Sequence, residues 1–91
     1  MNTTIKGHIK EIHQKEKHGS YTFRRVIIET VGDKPQVFEI QLNAGLMDSI
    51  DSYMEGERIA VDCELLGRPW TSPKGETKYF VTIRALSINK A

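Results

Sequence analysis

The sequence predicts an all-β fold with one short helix, in which five strands form a Greek-key barrel. Apolar and polar residues alternate along five segments, as they do in half-buried strands. One segment with a helical period lies between the third and fourth of these strands. The 91 residues leave room for only one hydrophobic core. We therefore expect residues 1–91 to form a single domain.

The first strand is predicted at residues 4–13. Ile5 and Ile9 lie on one side of this strand, whereas Ile12 falls on the other side. This change of side predicts a bulge or a bend, as strand curvature in a closed barrel requires. A polar and mainly basic loop at residues 14–20 follows it.

The second and third strands are predicted at residues 21–30 and 36–42, on either side of a hairpin turn. Val26 and Ile28 of the second strand are expected to face the core. The opposite side of that strand combines aromatic, cationic and apolar side chains: Tyr21, Phe23, Arg25 and Ile27. The third strand is expected to bury its even-numbered apolar residues: Phe38, Ile40 and Leu42.

Residues 44–55 change from a strand period to a helical one. Their apolar residues share one helical stripe: Leu46, Met47, Ile50, Tyr53 and Met54. Asn43 is predicted to cap the N-terminus of this helix, and Gly56 is predicted to end it.

The fourth strand is predicted at residues 58–66 and the last strand at residues 79–88, with a loop at residues 67–77 between them. Cys63 is the only cysteine and lies on the apolar side of the fourth strand, which predicts a buried structural thiol. In the last strand the apolar side switches after Ile83, which predicts a second bulge or curvature, or a strand covered on both faces.

The net charge of +1 hides a segregation of charge along the chain. Residues 1–38 carry seven basic and four acidic side chains, residues 39–66 one and seven, and residues 67–91 five and one. If the two basic segments meet in space, the domain presents a positive face to a polyanion. The alternative is that these charges only keep a small domain in solution.

The composition and motifs favour no enzyme, metal or cofactor. The three histidines are spaced five residues apart and lack the spacing of a zinc site. No nucleophile with a supporting base and no phosphate-binding glycine loop is present. No apolar run has the roughly 20 residues of a transmembrane helix, and a signal peptide is not indicated, so the cytoplasm is the expected location.

The order of three strands, one helix and two strands is that of the OB-fold. Ligands of this fold lie across the second and third strands, between the loops that correspond here to residues 14–20 and 67–77. Basic side chains in such a groove contact phosphates, while aromatic rings stack on unpaired bases. The expected nucleic-acid-binding residues are Lys15, Lys17, Phe23, Arg25, Arg68, Trp70, Lys74, Lys78 and Phe80.

Residues 67–80, GRPWTSPKGETKYF, carry a family resemblance. They resemble short stand-alone OB-fold proteins of bacteria and phages that share the pattern GRxWxxPxGExKYF, and the segment is also similar to bacterial single-stranded DNA-binding proteins. The resemblance implies that Trp70 stacks on DNA bases. It also implies binding of single-stranded DNA with little sequence preference, as in DNA replication, repair or recombination.

Two other functions fit the same residues. One is an OB-fold module for protein interaction or oligomerisation, in which Tyr21, Phe23 and Ile27 are buried between two protomers. The other is binding of single-stranded RNA, because stacking surfaces serve both nucleic acids. A homo-oligomer, with a dimer favoured, is expected in either case.

Overall fold

Six strands and one short helix make up the fold in the computed structural model, which describes residues 1–91. The strands are β1 (Asn2–Ile12), β2 (Glu16–His18), β3 (Tyr21–Glu29), β4 (Val37–Leu42), β5 (Arg58–Thr71) and β6 (Thr77–Lys90). The helix α1 (Leu46–Ser49) continues into a 3₁₀ turn at Ile50–Ser52. The predicted class and the order of the OB-fold are confirmed. The additional strand is the three-residue β2, which lies within the predicted loop at residues 14–20.

The barrel closes because β1 pairs with two strands in succession. Its first part pairs with β5 and its last part with β3, and the sheet order is β1-β5-β6-β4-β3-β2. At the change of partner, a Cβ atom on Gly7 would overlap the carbonyl oxygen of Glu29 and lie 2.8 Å from its carbonyl carbon. Only glycine therefore allows this close approach. The bulge predicted for the first strand is confirmed between Ile9 and Glu11.

The core is a single cluster of eleven buried residues inside the barrel. Its members are Ile5, Ile9, Val26, Ile28, Ile40, Leu42, Ile50, Ile59, Val61, Cys63 and Ala85. Cys63 is buried as predicted, and this burial, together with the nearby Asp62 carboxylate, raises the pKa of its thiol to about 11. Ile50 packs into this cluster from the 3₁₀ turn and is fully buried.

The helix is shorter than the predicted span of residues 44–55. It is capped at Gly45 rather than at Asn43, whose side chain instead donates a hydrogen bond to the Tyr21 hydroxyl at 2.7 Å. After the 3₁₀ turn the chain becomes extended at Tyr53, so Met54 is exposed rather than part of an apolar stripe. Ile50 is the one buried residue of these turns, and Leu46, Met47 and Tyr53 of the predicted stripe pack against the core beside it.

Arg24 fastens the helical turn to the barrel. Its Nε donates to the carbonyl oxygen of His13 at 2.7 Å, and its Nη1 donates to that of Met47 at 2.8 Å. The same guanidinium lies 2.9 Å from a carboxylate oxygen of Asp51. The side chain is only 12% exposed, so these charge-assisted bonds act in a partly dry environment.

β5 and β6 are longer than the sequence predicted. Residues 67–71 belong to β5 rather than to a loop, and they pair with residues 77–81 of β6. Pro69 is tolerated there because the outer edge of this two-stranded ribbon is unpaired. Within the barrel, the second predicted bulge is confirmed, because Leu86 is left without a partner between the pairs Asp62–Ser87 and Cys63–Ala85.

Residues 66–71 and 77–82, with the turn at residues 72–76, form a hairpin that we call the arm. Nearly all of its residues are exposed, and none belongs to the buried core. The chain measures 44 × 34 × 21 Å along its principal axes. Because none of its residues is buried in the core, the arm is held by the pairing of its own two strands rather than by packing.

Candidate nucleic-acid interface

A groove of about 630 Å³ lies between β3, β4 and the base of the arm. Its floor is formed by Tyr21, Phe23, Arg25, Glu39 and Gln41. The arm side is formed by Leu66, Arg68, Val81 and Thr82, continued along β6 by Ile83 and Arg84. His18 of β2 forms the opposite side. β3 and β4, the second and third predicted strands, thus lie beneath the groove. The two regions predicted as loops, residues 14–20 and 67–77, contribute His18 and Arg68 to its sides.

Phe23 differs from its predicted role as an open stacking surface. Its side chain is only 6% exposed. The His18 ring stacks on it with centroids 5.4 Å apart and an interplanar angle of 12°, and the Arg25 guanidinium lies 5.0 Å from its centroid. Phe23 therefore forms part of the groove floor with little open surface, because His18 and Arg25 already contact its ring.

Two of the predicted phosphate contacts are paired with carboxylates. Arg25 lies 3.4 Å from a carboxylate oxygen of Glu16 and 3.4 Å from one of Glu39. Lys15 donates to Asp48 at 2.7 Å, and this hydrogen bond and charge hold the pKa of the Asp48 carboxyl below its usual value. Both cations are thus engaged within the chain. By contrast, Lys17 forms no ion pair.

The arm carries the remaining predicted residues on one face. Arg68 lies opposite Phe80 and Trp70 lies opposite Lys78, so each cation faces an aromatic ring on the other strand. Trp70 is 50% exposed and Phe80 is 46% exposed. No carboxylate lies within 4.0 Å of Arg68 or Lys78 to form an ion pair. We call these four residues the cationic face of the arm. Leu66, Arg68 and Thr82 share its side of the ribbon and line the groove, so the face is continuous with the groove.

The opposite side of the arm has a different composition. It consists of Gly67, Pro69, Thr71, Thr77, Tyr79 and Val81, and we call it the uncharged face. Val81, at its base, also lines the groove. The sequence leaves the direction of Tyr79 open, since its side of the strand is shared with core residues. The structure exposes 80% of this side chain.

The sequence pattern described as a domain of unknown function, DUF3127, matches residues 4–89. The chain belongs to the DUF3127 family. No curated protein matches this DUF3127 domain in sequence.

Solved structures resemble the DUF3127 domain over nearly its whole length. Three crystal structures of Rim1, a mitochondrial single-stranded DNA-binding protein of S. cerevisiae, superpose with TM-scores of 0.79, 0.77 and 0.77. Their sequence identities are 13%, 13% and 12%. The matches cover 99%, 98% and 99% of this chain, and 93%, 92% and 94% of the respective Rim1 chains. At this identity the likeness establishes the OB-fold itself. None of the helices in the DUF3127 domain has the length and apolar character that a membrane crossing requires.

The turn of the arm fixes the position of Lys74. The N–H of Gly75 donates to the carbonyl oxygen of Ser72 at 2.9 Å, and Gly75 has a φ of +88°. The Ser72 hydroxyl accepts hydrogen bonds from the backbone N–H groups of Lys74 at 3.3 Å and Glu76 at 3.2 Å. This is a type I turn followed by a left-handed glycine, a common three-residue hairpin connection. Lys74 is therefore presented at the tip of the DUF3127 arm.

Sequence reasoning missed several polar groups of the groove. Arg84 lines it and is paired with Glu64 on the neighbouring strand. Gln41 donates to the Tyr21 hydroxyl at 2.6 Å and to Asn43 at 3.1 Å. With two donors already bound to its oxygen, Tyr21 keeps its own hydroxyl hydrogen for a ligand. In β4, the third predicted strand, alternation places Gln41 on the side opposite the buried residues Ile40 and Leu42. That alternation was the signal by which the sequence could have identified Gln41 as a groove residue.

Proposed function

We propose that this domain binds single-stranded DNA with little sequence preference, through the groove and the cationic face of the arm. The observation that carries the proposal is the cationic face itself. Exposed aromatic rings alternate there with cations that have no internal partner, and the face runs without interruption into the groove. Unpaired bases offer flat rings for stacking, and their backbone offers phosphates for the cations.

The contributions of the predicted residues differ in this proposal. Trp70 and Phe80 stack on bases, while the cations without internal partners contact phosphates. These cations are Lys17, Arg68, Lys74 and Lys78. Phe23, Lys15 and Arg25 act less directly, because they already contact other side chains of the domain. Arg25 and Lys15 contact phosphate only at the cost of loosening these ion pairs.

Single strands fit this surface better than a duplex does. In a duplex the bases are stacked on one another and their flat faces are not accessible to Trp70 and Phe80. Stacking tolerates any base, so the proposed preference among sequences is weak. We place such an activity in DNA replication, repair or recombination, in which single strands are exposed.

The salt dependence follows from the number of cations without partners. If Lys17, Arg68, Lys74 and Lys78 each neutralise one phosphate, log K should fall with log salt concentration with a slope of about −3. A slope near zero would contradict the proposed phosphate contacts. The slope therefore tests the electrostatic part of the proposal separately from stacking.

The deciding experiment compares oligonucleotides of equal length as single-stranded DNA, duplex DNA and single-stranded RNA, at two salt concentrations. We expect the single-stranded DNA to be shifted at the lowest protein concentration and the duplex at the highest. Equal binding of the duplex would contradict stacking on bases. Tighter binding of RNA would replace DNA by RNA as the ligand.

A protein-interaction function is the second candidate, favoured by the exposed uncharged face. Phe23 and Ile27, which were expected at an interface between protomers, are already buried within one chain. We therefore propose that the domain also forms a homo-oligomer, with a dimer favoured, and that its interface lies elsewhere. Oligomerisation without binding of any nucleic acid would make interaction the primary function.

A further inference from the structure

The uncharged face of the arm is exposed and carries no lysine, arginine, histidine or carboxylate side chain. Its most exposed members are Tyr79 and Val81, at 80% and 69%. At the base of the arm it continues directly from the inward side of β5 and β6, where Cys63, Leu65 and Ile83 lie. It therefore has the character of an interior surface that extends past the end of the barrel.

A free two-stranded ribbon is only marginally stable in water, and three or more strands or a packed face are normally needed. Only one of the two faces of the arm suits a nucleic acid, because its cations lie on the Arg68 side. The uncharged face offers a polyanion no cation. Its covering must come from another uncharged surface.

We propose that the uncharged faces of two copies of this chain pack against each other about a two-fold axis. Charge disfavours two other contacts that these surfaces could make between copies. Two cationic faces would bring Arg68 and Lys78 of both copies together and repel one another. The outer side of β5 carries Asp62 and Glu64, and burying these carboxylates beneath Tyr79 would be costly. Of these contacts, only that of the uncharged face with itself brings no like charges together and buries no carboxylate.

A contact through the uncharged face leaves the cationic face of each arm open. Successive side chains point to opposite faces, so covering Tyr79 and Pro69 leaves Trp70 and Lys78 open. In a dimer built this way the two cationic faces point away from each other. The dimer then binds two single strands, one through each cationic face.

The contact is small. Each copy contributes six residues, compared with roughly 20 to 30 in a standard interface. We expect reversible association with a dissociation constant on the order of tens of micromolar. Sedimentation velocity over a wide protein concentration range, without DNA, should show monomer passing into dimer. A monomer at all concentrations would overturn the proposal.

Cross-linking identifies the surface. Tyr79→Cys places a thiol on the uncharged face, and Lys78→Cys places one on the adjacent, opposite face. Cys63 is fully buried, so it does not react in the folded protein. With a short bis-maleimide, Tyr79→Cys should yield several-fold more covalent dimer than Lys78→Cys or Val31→Cys, which reports random collision from an exposed turn. Equal yields in the three variants would overturn the proposal.

Tyr79→Ser separates this inference from the DNA-binding proposal. The variant should remain monomeric where the native chain dimerises and should quench its Trp70 fluorescence with an oligo-dT strand as the native chain does. Persistent dimer would place the interface elsewhere, and loss of oligo-dT binding would make the uncharged face a DNA contact; either result overturns the inference. If the native chain dimerises through Tyr79 but binds no oligonucleotide, the proposed function fails and the dimer stands.

Discussion

The barrel and the arm share the strands β5 and β6 but are stabilised in different ways. Within the barrel these strands bury Ile59, Val61, Cys63 and Ala85 in a common core. In the arm, residues 66–71 and 77–82 of the same strands bury nothing and are held by cross-strand pairs and a tight turn. The barrel therefore sets the stability of the molecule, while the arm is free to carry exposed aromatic and cationic residues. Changes in the two regions should affect different measurements.

The largest expected effect is in the barrel, at Gly7. Gly7→Ala places a methyl group against the backbone of Glu29, where β1 changes partner, and the backbone cannot yield without opening the barrel. We expect the free energy of unfolding to fall by roughly 3 kcal/mol or more, measured by urea denaturation. Gly45→Ala is the matched control, since a Cβ there meets no atom within 4 Å and its φ is −63°. Equal stability of the two variants would contradict the account of barrel closure.

Arg24→Ala tests how the helical turn is held to the barrel. It removes two hydrogen bonds to backbone carbonyl groups and the ion pair with Asp51, and should cost about 2 kcal/mol of unfolding free energy. The neighbouring Arg25→Ala, on the more exposed groove side, should cost less than half as much. A larger loss for Arg25→Ala than for Arg24→Ala would reverse the assigned roles.

Trp70→Ala should show the opposite pattern, with loss of binding and little loss of stability. Removal of a stacking ring should weaken binding of single-stranded DNA by about 1 to 3 kcal/mol. The free energy of unfolding should change by less than about 0.5 kcal/mol, because the ring is half exposed and outside the core. Trp70→Phe should recover part of the affinity. Unchanged affinity of Trp70→Ala in an anisotropy titration would remove the arm from the site.

The smallest expected effect distinguishes two lysines. Lys78→Ala should weaken binding and reduce the salt slope by about 0.7, the contribution of one phosphate contact to a single strand. Lys15→Ala should change the slope less, because Lys15 is bound to Asp48 on the helical turn. Salt titrations of both variants measure the difference. Equal slopes would mean that Lys15 leaves Asp48 to bind DNA.

The sequence alone was sufficient for the core and the strand order. Alternation placed Val26, Ile40 and Val61 inward, and both changes of alternation corresponded to real bulges. The arm was missed because Gly67 and Pro69 weaken strand propensity, whereas a free-standing ribbon tolerates them at an unpaired edge. Strand propensities read along the sequence do not show whether the edge of a strand is paired in the fold.

The candidate site was less predictable, because charge pairing depends on distant residues. Whether Arg25 and Lys15 are available for a ligand depends on Glu39 and Asp48, which come from other elements of the fold. Phe23 was expected to be open, but His18 and Arg25 cover it. By contrast, Trp70 and Phe80 are exposed, as a stacking role requires, because they lie on the arm, beyond the buried core.

The most direct test of the central proposal uses Trp70 as a reporter, since it is the only tryptophan in the chain. An oligo-dT strand should quench its fluorescence saturably, and the midpoint should move to higher DNA concentration as salt is added. A duplex of the same length should not quench it at the same concentrations. Binding of oligo-dT without any change in Trp70 fluorescence, or no binding at low salt, would contradict the account.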